Sequence, residues 1–488
     1  RLVGANAPDD PAPAPPPPEG GRVDLAPCAA DACDDSLALA AAIEGAPEGP
    51  VMLVLGAGAW HLRTPLLIRR DGVALVGEGD PILHWIPSVP AEGAITFAGA
   101  GPVGASLAVP TVTAGQRTFV VDAPEDWRPG FVRIDADDFG PIPAPCVNGR
   151  DVERFNRHIG QLARVEAITP VDGGVEVTVD RGLWLDVPAE ANPRLQAMTL
   201  LTGARVQGLW LEADCPEADA DLRFAAAACR TPDVLVDDGV RLLATVGARI
   251  VDVRARHFGR FSIRVDGSLE TFVDGGGMDH PSDFGDGGRG YGVHAIRATR
   301  TRVRGYRVEH ARHGVVVDFG SAESQVIDCD LRDMNQALVD VHGEASRDTL
   351  VRGCTLAGGP TGVIVGGGGA DVHCNDGPRH HVLFNDIRDT ALGGVVAFKE
   401  ARHVFVIGNT FGPALNHVNV ALGSGDIVVH RNRFAGSRSA PVLVVSGAVA
   451  SGPVQVTDNI FDDACDAARA VVTAFDPEVT LDGNVYCP

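Results

Sequence analysis

The apolar residues of this chain occur in short runs that are separated by glycines and polar turns. The runs at 51–55, 65–68 and 73–76 are the first of them, and each has the length of a β-strand. Beyond one short segment near residue 40, no long run repeats its apolar residues with the period of a helix. The pattern predicts an all-β chain built from many short strands.

A repeat becomes visible in the C-terminal half when strings of the form Val-x-x-Asn-x-Phe are aligned. Successive strings start 23 to 31 residues apart, and a second strand-like run lies between each pair. Such a period without an intervening helix is typical of a parallel β-helix, in which each repeat forms one coil. The strings are 303–308, 326–331, 351–356, 382–387, 406–411, 429–434, 456–461 and 481–486, and their fourth residues are Tyr306, Cys329, Cys354, Asn385, Asn409, Asn432, Asn459 and Asn484.

The fourth position of the repeat is predicted to be structural. Stacked Asn side chains hydrogen-bond along the axis of a solenoid, and Asn tolerates the left-handed backbone of a turn. Cys329 and Cys354 occupy this position on neighbouring coils, so we expect stacked buried thiols there, with a disulfide between them as the alternative.

Four segments with different patterns divide the chain. The Pro-rich start cannot form a core, and Asp34 then precedes an amphipathic stretch that predicts a helix ending near Gly45. Runs such as 131–134 and 175–179 alternate like antiparallel strands, in a segment that either walls a substrate groove or only packs against the coils. The predicted organisation is a disordered tether over 1–26, a cap helix and first coils over 27–107, an inserted β subdomain over 108–198 and the main parallel β-helix over 199–488.

The opening of the chain resembles the pectate-lyase-like superfamily of right-handed parallel β-helices. The resemblance rests on 34–39 with Ile43, on Gly56-Ala-Gly-Ala-Trp60, on 66–68 and on Val76-Gly-Glu-Gly79, in that order. It implies a helix that caps the N-terminal end of a single-stranded right-handed solenoid. Members of the superfamily mostly cleave or modify polysaccharides, as lyases, C5-epimerases or glycoside hydrolases.

Composition and charge exclude several partners. With 41 basic and 64 acidic residues among 488, the net charge of −23 repels a phosphate backbone, so we expect no nucleic acid partner. No apolar run has the roughly 18 residues of a transmembrane helix. Ten cysteines without a C-x-x-C pair, including the close pairs Cys28/Cys33 and Cys215/Cys229, favour an oxidising setting, so we expect a secreted or cell-surface protein.

Candidate chemistry lies on the outer face of the coils, where a surface with a spacing of about 4.8 Å between coils suits an extended sugar chain. In 337–344, Val339 and Val341 are predicted to face the core, so Asp340 and His342 share the outer face. An imidazole beside a carboxylate is suited to proton transfer.

Counting back from the repeat position places His294, Asp318 and His342 on one strip of three coils. Arg312 and His313 lie at the turn that enters the middle coil. Because these ionisable side chains are expected close together, we predict a catalytic site on this strip. The alternative is that they are ordinary solvent-exposed residues of the outer face. We assign His342, Asp340, Asp318 and His313 as catalytic, and His294, Arg312 and Glu344 as substrate-binding.

Two further resemblances indicate which residue could act as a catalytic base. Asp340-Val341-His342 resembles the Asp-Pro-His motif of mannuronan C5-epimerases, with Val in place of Pro, which implies an acid/base role for His342 and a supporting role for Asp340. Lys399 is the only lysine, and its string resembles the Lys-containing coil of chondroitinase-B-like and alginate lyases, where Lys is the base; the Arg of that pattern is missing from 420–423. Lys399 is therefore a further catalytic candidate, with chance retention as the alternative.

Two long insertions carry polar residues. The Gly-rich stretch 275–291 contains His280, Asp283, Arg289 and Tyr291, which we assign to substrate binding; Arg289 suits a substrate carboxylate, and Tyr291 suits proton donation. The insertion 366–381 offers oxygen and imidazole donors for Ca²⁺ or another divalent ion, with Asp371, His373 and Asp376 as the candidate ligands. Ca²⁺ is the only cofactor we consider.

Three functions remain open. A polysaccharide lyase would use His342 or Lys399 as base on a uronate-containing glycan. A glycoside hydrolase or transferase would use the Asp318 and Asp340 carboxylates. A glycan-binding adhesin or tailspike-like protein would need neither, although 5% aromatic residues leave few stacking platforms. We favour the lyase.

Overall fold

A parallel β-helix forms the body of the protein, as the repeat predicts. The structure, a computed structural model, describes residues 21–28, 33–86, 91–124, 126–137, 159–214, 236–282, 288–342, 345–366, 377–398, 401–421, 423–445, 452–474 and 478–488. Each coil passes through three strand positions, which we call the first, second and third face. Almost every neighbouring pair of coils is joined by parallel pairing on each face.

The strands of the three faces follow one another in every complete coil. The first face consists of Gly21–Leu25, Val51–Leu55, Val73–Gly77, Arg205–Gln207, Arg249–Val251, Phe272–Asp274, Arg302–Arg304, Gln325–Ile327, Leu350–Arg352, His380–Leu383, Arg402–Ile407, Gly425–His430, Val454–Thr457 and Val479–Asp482. The second face consists of Gly58–Leu62, Pro81–Trp85, Trp210–Ala213, Arg254–Arg256, Gly277–Asp279, Arg307–Glu309, Asp330–Arg332, Thr410–Phe411, Arg433–Phe434, Ile460–Phe461 and Val485–Tyr486. The third face consists of Leu66–Ile68, Ala91–Ala98, Val236–Leu243, Phe261–Asp266, Tyr291–Ile296, His313–Asp318, Ala337–Val341, Ala414–Ala421, Val442–Val445 and Val471–Ala474; the long strands Thr355–Val365 and Asp386–Ala397 run through both the second and the third face.

The predicted asparagine ladder lies at the corner between the first and second faces. The Nδ2 of Asn385 donates to Oδ1 of Asn409 at 2.9 Å, and the same contact recurs from Asn409 to Asn432, Asn459 and Asn484 at 3.0–3.1 Å. Cys329 and Cys354 continue this row as buried free thiols, which confirms the stacked arrangement. The row satisfies backbone amides that would otherwise be buried without a partner.

The interior of the coils is filled by aliphatic side chains and, near the C-terminus, by stacked rings. Phe411, Phe434, Phe461 and Tyr486 follow one another with ring centroids 4.9–5.5 Å apart. Equivalent residues stack because parallel pairing in register places them one above the other.

The N-terminal cap forms as predicted, but residues 21–25, which the sequence analysis assigns to the tether, form a strand. The helix Asp35–Gly45 begins at Asp34, whose carboxylate accepts from the Ser36 amide at 3.0 Å, and it buries Leu39 and Ile43. The assignment of residues 21–25 to a disordered tether is wrong, because Gly21–Leu25 pairs in parallel with Val51–Leu55. This pairing adds one strand to the N-terminal edge of the first face and provides hydrogen-bond partners for the backbone of the segment.

The predicted antiparallel subdomain interrupts the early coils. Its strands are Gly101–Pro102, Leu107–Ala108, Thr118–Val121, Phe131–Asp135, Gly160–Val171, Gly174–Val179 and Arg194–Thr199, and a 3₁₀ turn spans Ala189–Ala191. The coils resume through Leu201–Thr202, which pairs with Thr245–Val246.

Disulfides close both ends of the described solenoid. Cys28 is bonded to Cys33 beside the cap helix, and Cys465 is bonded to Cys487 near the short helix Ala467–Ala470. Cys215 and Cys229 lie outside the described residues. Within the described ranges, we find no helix that is both long enough and apolar enough to span a membrane.

Candidate functional site

Polar side chains collect on the outer side of the third face, on three successive coils. Alternation along Tyr291–Ile296 points Val293 and Ala295 into the core and His294 outward. The same alternation places Asp318 and the Asp340–His342 pair outward on the next two coils, as predicted. We call Tyr291, His294, His313, Asp318, Asp340 and His342 the third-face cluster.

His294 and Asp318 form a buried pair. Nε2 of His294 lies 3.2 Å from Oδ2 of Asp318, so the ring carries its proton on Nε2 toward the carboxylate. Nδ1 is buried and has no hydrogen-bond partner among the described residues. Burial lowers the pKa of His294 and outweighs the opposing effect of Asp318, so the imidazole is neutral near pH 7.

His313 is also held neutral, with a defined tautomer. Its Nδ1 lies 3.1 Å from the carbonyl oxygen of Ala337, which can only accept, so the proton is on Nδ1 and the lone pair is on Nε2. Asp340 lies further away, with Oδ2 3.7 Å from Nδ1. Burial, together with the charge of Arg312, lowers the pKa of His313 well below its ordinary value of 6.5. A neutral imidazole with a lone pair is a general base.

Tyr291 packs between the two histidines. Its ring meets His313 edge-on with centroids 4.8 Å apart, and His294 at 5.4 Å. Phe261, on the preceding coil, contacts both Tyr291 and His294. Burial raises the pKa of Tyr291 above its ordinary value, so the phenol stays protonated at neutral pH and can donate a proton.

The hydrophobic alternation of the coil before Tyr291 identifies polar residues that the sequence analysis missed. Phe261, Ile263 and Val265 are fully buried, so the same alternation directs Arg264 and Asp266 outward. Arg264 lies opposite His294 in the pairing register. Asp266 receives hydrogen bonds from Arg264 at 2.9 Å and Arg297 at 2.8 Å. The alternation of apolar and polar residues over 261–266 in the sequence could have identified both residues.

Asp238 extends the cluster one coil further toward the N-terminus. It is 1% exposed, and neither carboxylate oxygen has a hydrogen-bond partner among the described residues. Arg241 lies 3.4 Å away and Arg264 lies 4.0 Å away. Burial nevertheless raises the pKa of Asp238 to about 7, so this carboxyl group is partly protonated at neutral pH.

The predicted strip has the wrong register. His294 pairs with Val316 and then Asp340, whereas Asp318 pairs with Ile296 on the coil below. The counting failed because the corner after the third face lengthens by one residue at each coil, from Ala295 to Arg302, Val317 to Gln325 and Val341 to Leu350. The side chains still meet because His294 reaches diagonally to Asp318.

The other predicted residues divide into three groups. Arg312 lies over Tyr291, 6.0 Å from its ring centroid. Arg289 lies close enough to Asp237 for its charge to oppose the burial that raises the pKa of that carboxyl. His342 is partly buried and follows Val341. His280 is not in the cluster, because the left-handed turn at the end of the second face directs it to Asp279. Asp283, Glu344, Lys399, Asp371, His373 and Asp376 lie outside the described residues.

The inserted subdomain borders the cluster at the corner after the third face. Leu162 donates its amide to Oγ1 of Thr299 at 3.1 Å. Arg133 is close enough to Asp266 and Arg297 for both charges to act on its pKa, although burial is the largest influence and lowers it. The subdomain therefore packs on the coils and places a guanidinium beside the outer face.

Comparisons with known proteins agree with this architecture. A family model for a right-handed beta helix region matches residues 313–485. The chain is a right-handed parallel β-helix protein. No curated protein sequence matches it.

Three solved structures illustrate the range of proteins that share this β-helix. The Gp54 tailspike of Acinetobacter baumannii bacteriophage AP22, in complex with A. baumannii capsular saccharide, aligns with a TM-score of 0.58 and 11% identity over 93% of this chain and 73% of its own. The tailspike gp49 of Pseudomonas phage LKA1 aligns with a TM-score of 0.57 and 14% identity over 93% of this chain and 74% of its own. The catalytic unit of a GH87 alpha-1,3-glucanase from Streptomyces thermodiastaticus aligns with a TM-score of 0.53 and 10% identity over 97% of this chain and 70% of its own. At these identities the similarity establishes a common fold.

Proposed function

We propose that this β-helix protein is a polysaccharide lyase that cleaves a uronate-containing glycan by β-elimination at the third-face cluster. The observation that supports it is the contact between His313, a neutral imidazole, and Tyr291, a protonated phenol, 4.8 Å apart between ring centroids. β-Elimination requires a base, an acid and a cation near the substrate carboxylate, and Arg312 adjoins both rings.

The proposed reaction assigns one step to each group. Nε2 of His313 removes the proton next to the uronate carboxyl, while Arg312 stabilises the negative charge that spreads into that carboxylate. The bond from the neighbouring ring carbon to the glycosidic oxygen then breaks, and a carbon–carbon double bond forms. Tyr291 supplies the proton that the leaving oxygen takes up. His294 has the same protonation state and is the alternative base.

The glycan approaches through the partly exposed residues around the cluster. Arg260, Arg289, Arg312 and His342 are partly buried, whereas the side chains of His294, His313, Asp318 and Asp340 are 5–7% exposed. Guanidinium groups at this rim suit a uronate carboxylate. The net charge of −23 makes this local positive charge necessary for an anionic substrate.

Tyr291→Phe tests the proposal, because it removes only the hydroxyl and keeps the ring contacts. We expect a loss of at least about 100-fold in the formation of unsaturated, ultraviolet-absorbing ends, since general acid catalysis contributes about 10²–10⁴. Tyr306→Phe is the matched control: Tyr306 is buried in the core, and Ser262, at 2.7 Å, is the one hydrogen-bond partner of its hydroxyl among the described residues. It should lower stability and leave turnover unchanged. Equal turnover in wild type and Tyr291→Phe would exclude this acid.

Glycoside hydrolysis is the second candidate, and Asp238 favours it. A carboxyl group with a pKa near 7 is suited to protonate a glycosidic oxygen, and its ionised partner would be Asp266, which Arg264 bridges to Asp238. A panel of acidic and neutral polysaccharides, with and without Ca²⁺, separates the reactions. Unsaturated ends indicate a lyase, and reducing ends without ultraviolet absorbance indicate a hydrolase.

A non-catalytic, tailspike-like glycan binder is the third candidate, because tailspikes share the fold. It predicts saturable binding of a glycan without either kind of new end. All three candidates place the protein outside the cell or on its surface, in keeping with the disulfides Cys28–Cys33 and Cys465–Cys487.

A further inference from the structure

A second group of ionisable side chains lies at the corner between the second and third faces. Asp279 ends the strand Gly277–Asp279, and His280 follows it in a left-handed conformation with φ 44°. His310 holds the equivalent corner position on the next coil, with φ 52°, because Asp279 pairs with Glu309. We call Asp279, His280 and His310 the corner triad.

The donor atoms of the corner triad converge. Nδ1 of His310 lies 3.2 Å from Oδ1 of Asp279, and Nδ1 of His280 lies 2.7 Å from the same oxygen. The contact from His280 lacks the alignment of a hydrogen bond, and this buried nitrogen has no other partner among the described residues. The two imidazoles stack with centroids 4.5 Å apart. One ligand atom from each residue therefore lies within 4.8 Å of the other two.

This geometry is close to that of a metal site. With metal–ligand bonds of about 2.0–2.2 Å, neighbouring ligand atoms of a tetrahedral ion lie about 3.3–3.5 Å apart. Small side-chain rotations bring the three atoms to that spacing. Two imidazole nitrogens with one carboxylate oxygen suit Zn²⁺, Cu²⁺, Ni²⁺ or Fe²⁺, whereas Ca²⁺ prefers oxygen ligands only.

The surroundings leave coordination positions open. The side chains of His280, Asp279 and His310 are 38%, 47% and 29% exposed. Asp279 also lines a groove of about 1020 Å³ on the second face, together with Trp210, Arg254, Arg307 and Glu309. An ion held by three protein ligands at the edge of this groove would keep a position for water or for a polar group of a bound molecule.

We propose that Asp279, His280 and His310 bind one divalent transition metal ion of the Zn²⁺ type at the edge of the second-face groove. The site does not depend on the proposed lyase activity, since it uses none of the third-face cluster.

Cobalt binding to the full chain after treatment with a chelator tests this site. We expect one Co²⁺ per chain with the strong visible absorption of a four- or five-coordinate ion, displaced by Zn²⁺ and not by Ca²⁺. His280→Asn and His310→Asn should each weaken binding at least about tenfold, because each removes one of three ligands. Asn is chosen because it tolerates the left-handed backbone at both positions.

Asp333→Asn is the matched control, since Asp333 occupies the same corner on the following coil with φ 53° and is exposed. The substitution removes a carboxylate from the same corner of the next coil and leaves the corner triad intact, so Co²⁺ binding should be unchanged. Circular dichroism of the metal-free proteins checks folding, and either histidine variant alone suffices for the test. No stoichiometric Co²⁺ binding in wild type, or equal weakening in Asp333→Asn, would overturn the proposal.

Discussion

Asn432 occupies an internal rung of the asparagine ladder, and Asn432→Ala should destabilise the β-helix strongly. The side chain is 1% exposed. Its Oδ1 accepts from both the backbone amide and Nδ2 of Asn409, at 2.9 and 3.0 Å. Its Nδ2 donates to the carbonyl of Val406 at 2.8 Å and to Oδ1 of Asn459 at 3.1 Å. The substitution removes all four hydrogen bonds at once.

The expected cost follows from what each partner retains. Nδ2 of Asn409 keeps the carbonyl of Val382, and Oδ1 of Asn459 keeps the amide of residue 432. The backbone amide of Asn409 has no replacement acceptor, which costs about 1–3 kcal/mol, and each of the other three bonds contributes about 0.5–1 kcal/mol. We therefore expect a loss of about 2.5–6 kcal/mol in the free energy of unfolding.

Urea unfolding followed by circular dichroism measures this loss, and Asn484→Ala is the matched control. Asn484 accepts the same two bonds from Asn459, but it is the last rung and is partly exposed, so water can replace it. Its loss should be about 1–2 kcal/mol. If the two variants lose the same free energy, or if Asn432→Ala loses less than about 1 kcal/mol, the ladder does not stabilise the fold as argued.

Three further predictions concern charge. Between pH 3.8 and about 7, Asp238 is protonated in the folded protein and ionised in the unfolded chain, so its contribution to stability falls as pH rises. Between pH 4 and 7.5, the free energy of unfolding of Asp238→Asn, measured with urea, should therefore rise by about 3–4 kcal/mol relative to wild type. A difference between the two proteins that does not change with pH would contradict this. Burial lowers the pKa of His417 to about 4, so stability is lost as pH falls from 6.5 toward 4. His417→Phe should reduce the loss between pH 7.5 and 4.5 by about 2.5 kcal/mol in thermal unfolding, and an undiminished loss would refute it. Raising the salt from about 10 to 100 mM should lower KM for a uronate polymer by screening distant acidic residues, and an unchanged KM would refute the role given to net charge.

The fold could be predicted because its signal is local and repeated. The Val-x-x-Asn-x-Phe strings fix the period, and the row from Tyr306 to Asn484 aligns in the structure as it does in the sequence. The strand Gly21–Leu25 was missed because pairing with Val51–Leu55, and no pattern of its own, orders it. Whether such a segment forms a strand depends on the neighbouring coil, so the residues of the segment alone do not predict it.

The candidate site could be predicted only in part, for a geometric reason. Alternation within one strand correctly placed Asp340 and His342 on the same side, since it needs no knowledge of other coils. The relation between coils depends on corner lengths, and the growing corner after the third face shifted His294 against Asp318. Arg264 and Asp238 were not predicted, although both lie beside apolar residues that alternate in the same way.

Burial links the fold to the proposed chemistry. The rings of Phe261 and Tyr291 contact each other along the coil axis, tilted by 44°, because parallel pairing repeats one position from coil to coil. The same packing removes water from His294 and His313, and this desolvation keeps both imidazoles unprotonated despite the nearby carboxylates. A fully solvated histidine on the outer face would be partly protonated near its ordinary pKa, and its protonated fraction could not act as a base. Packing on the third face therefore keeps the lone pairs of His294 and His313 available at neutral pH, while the lowered pKa also makes each imidazole a weaker base.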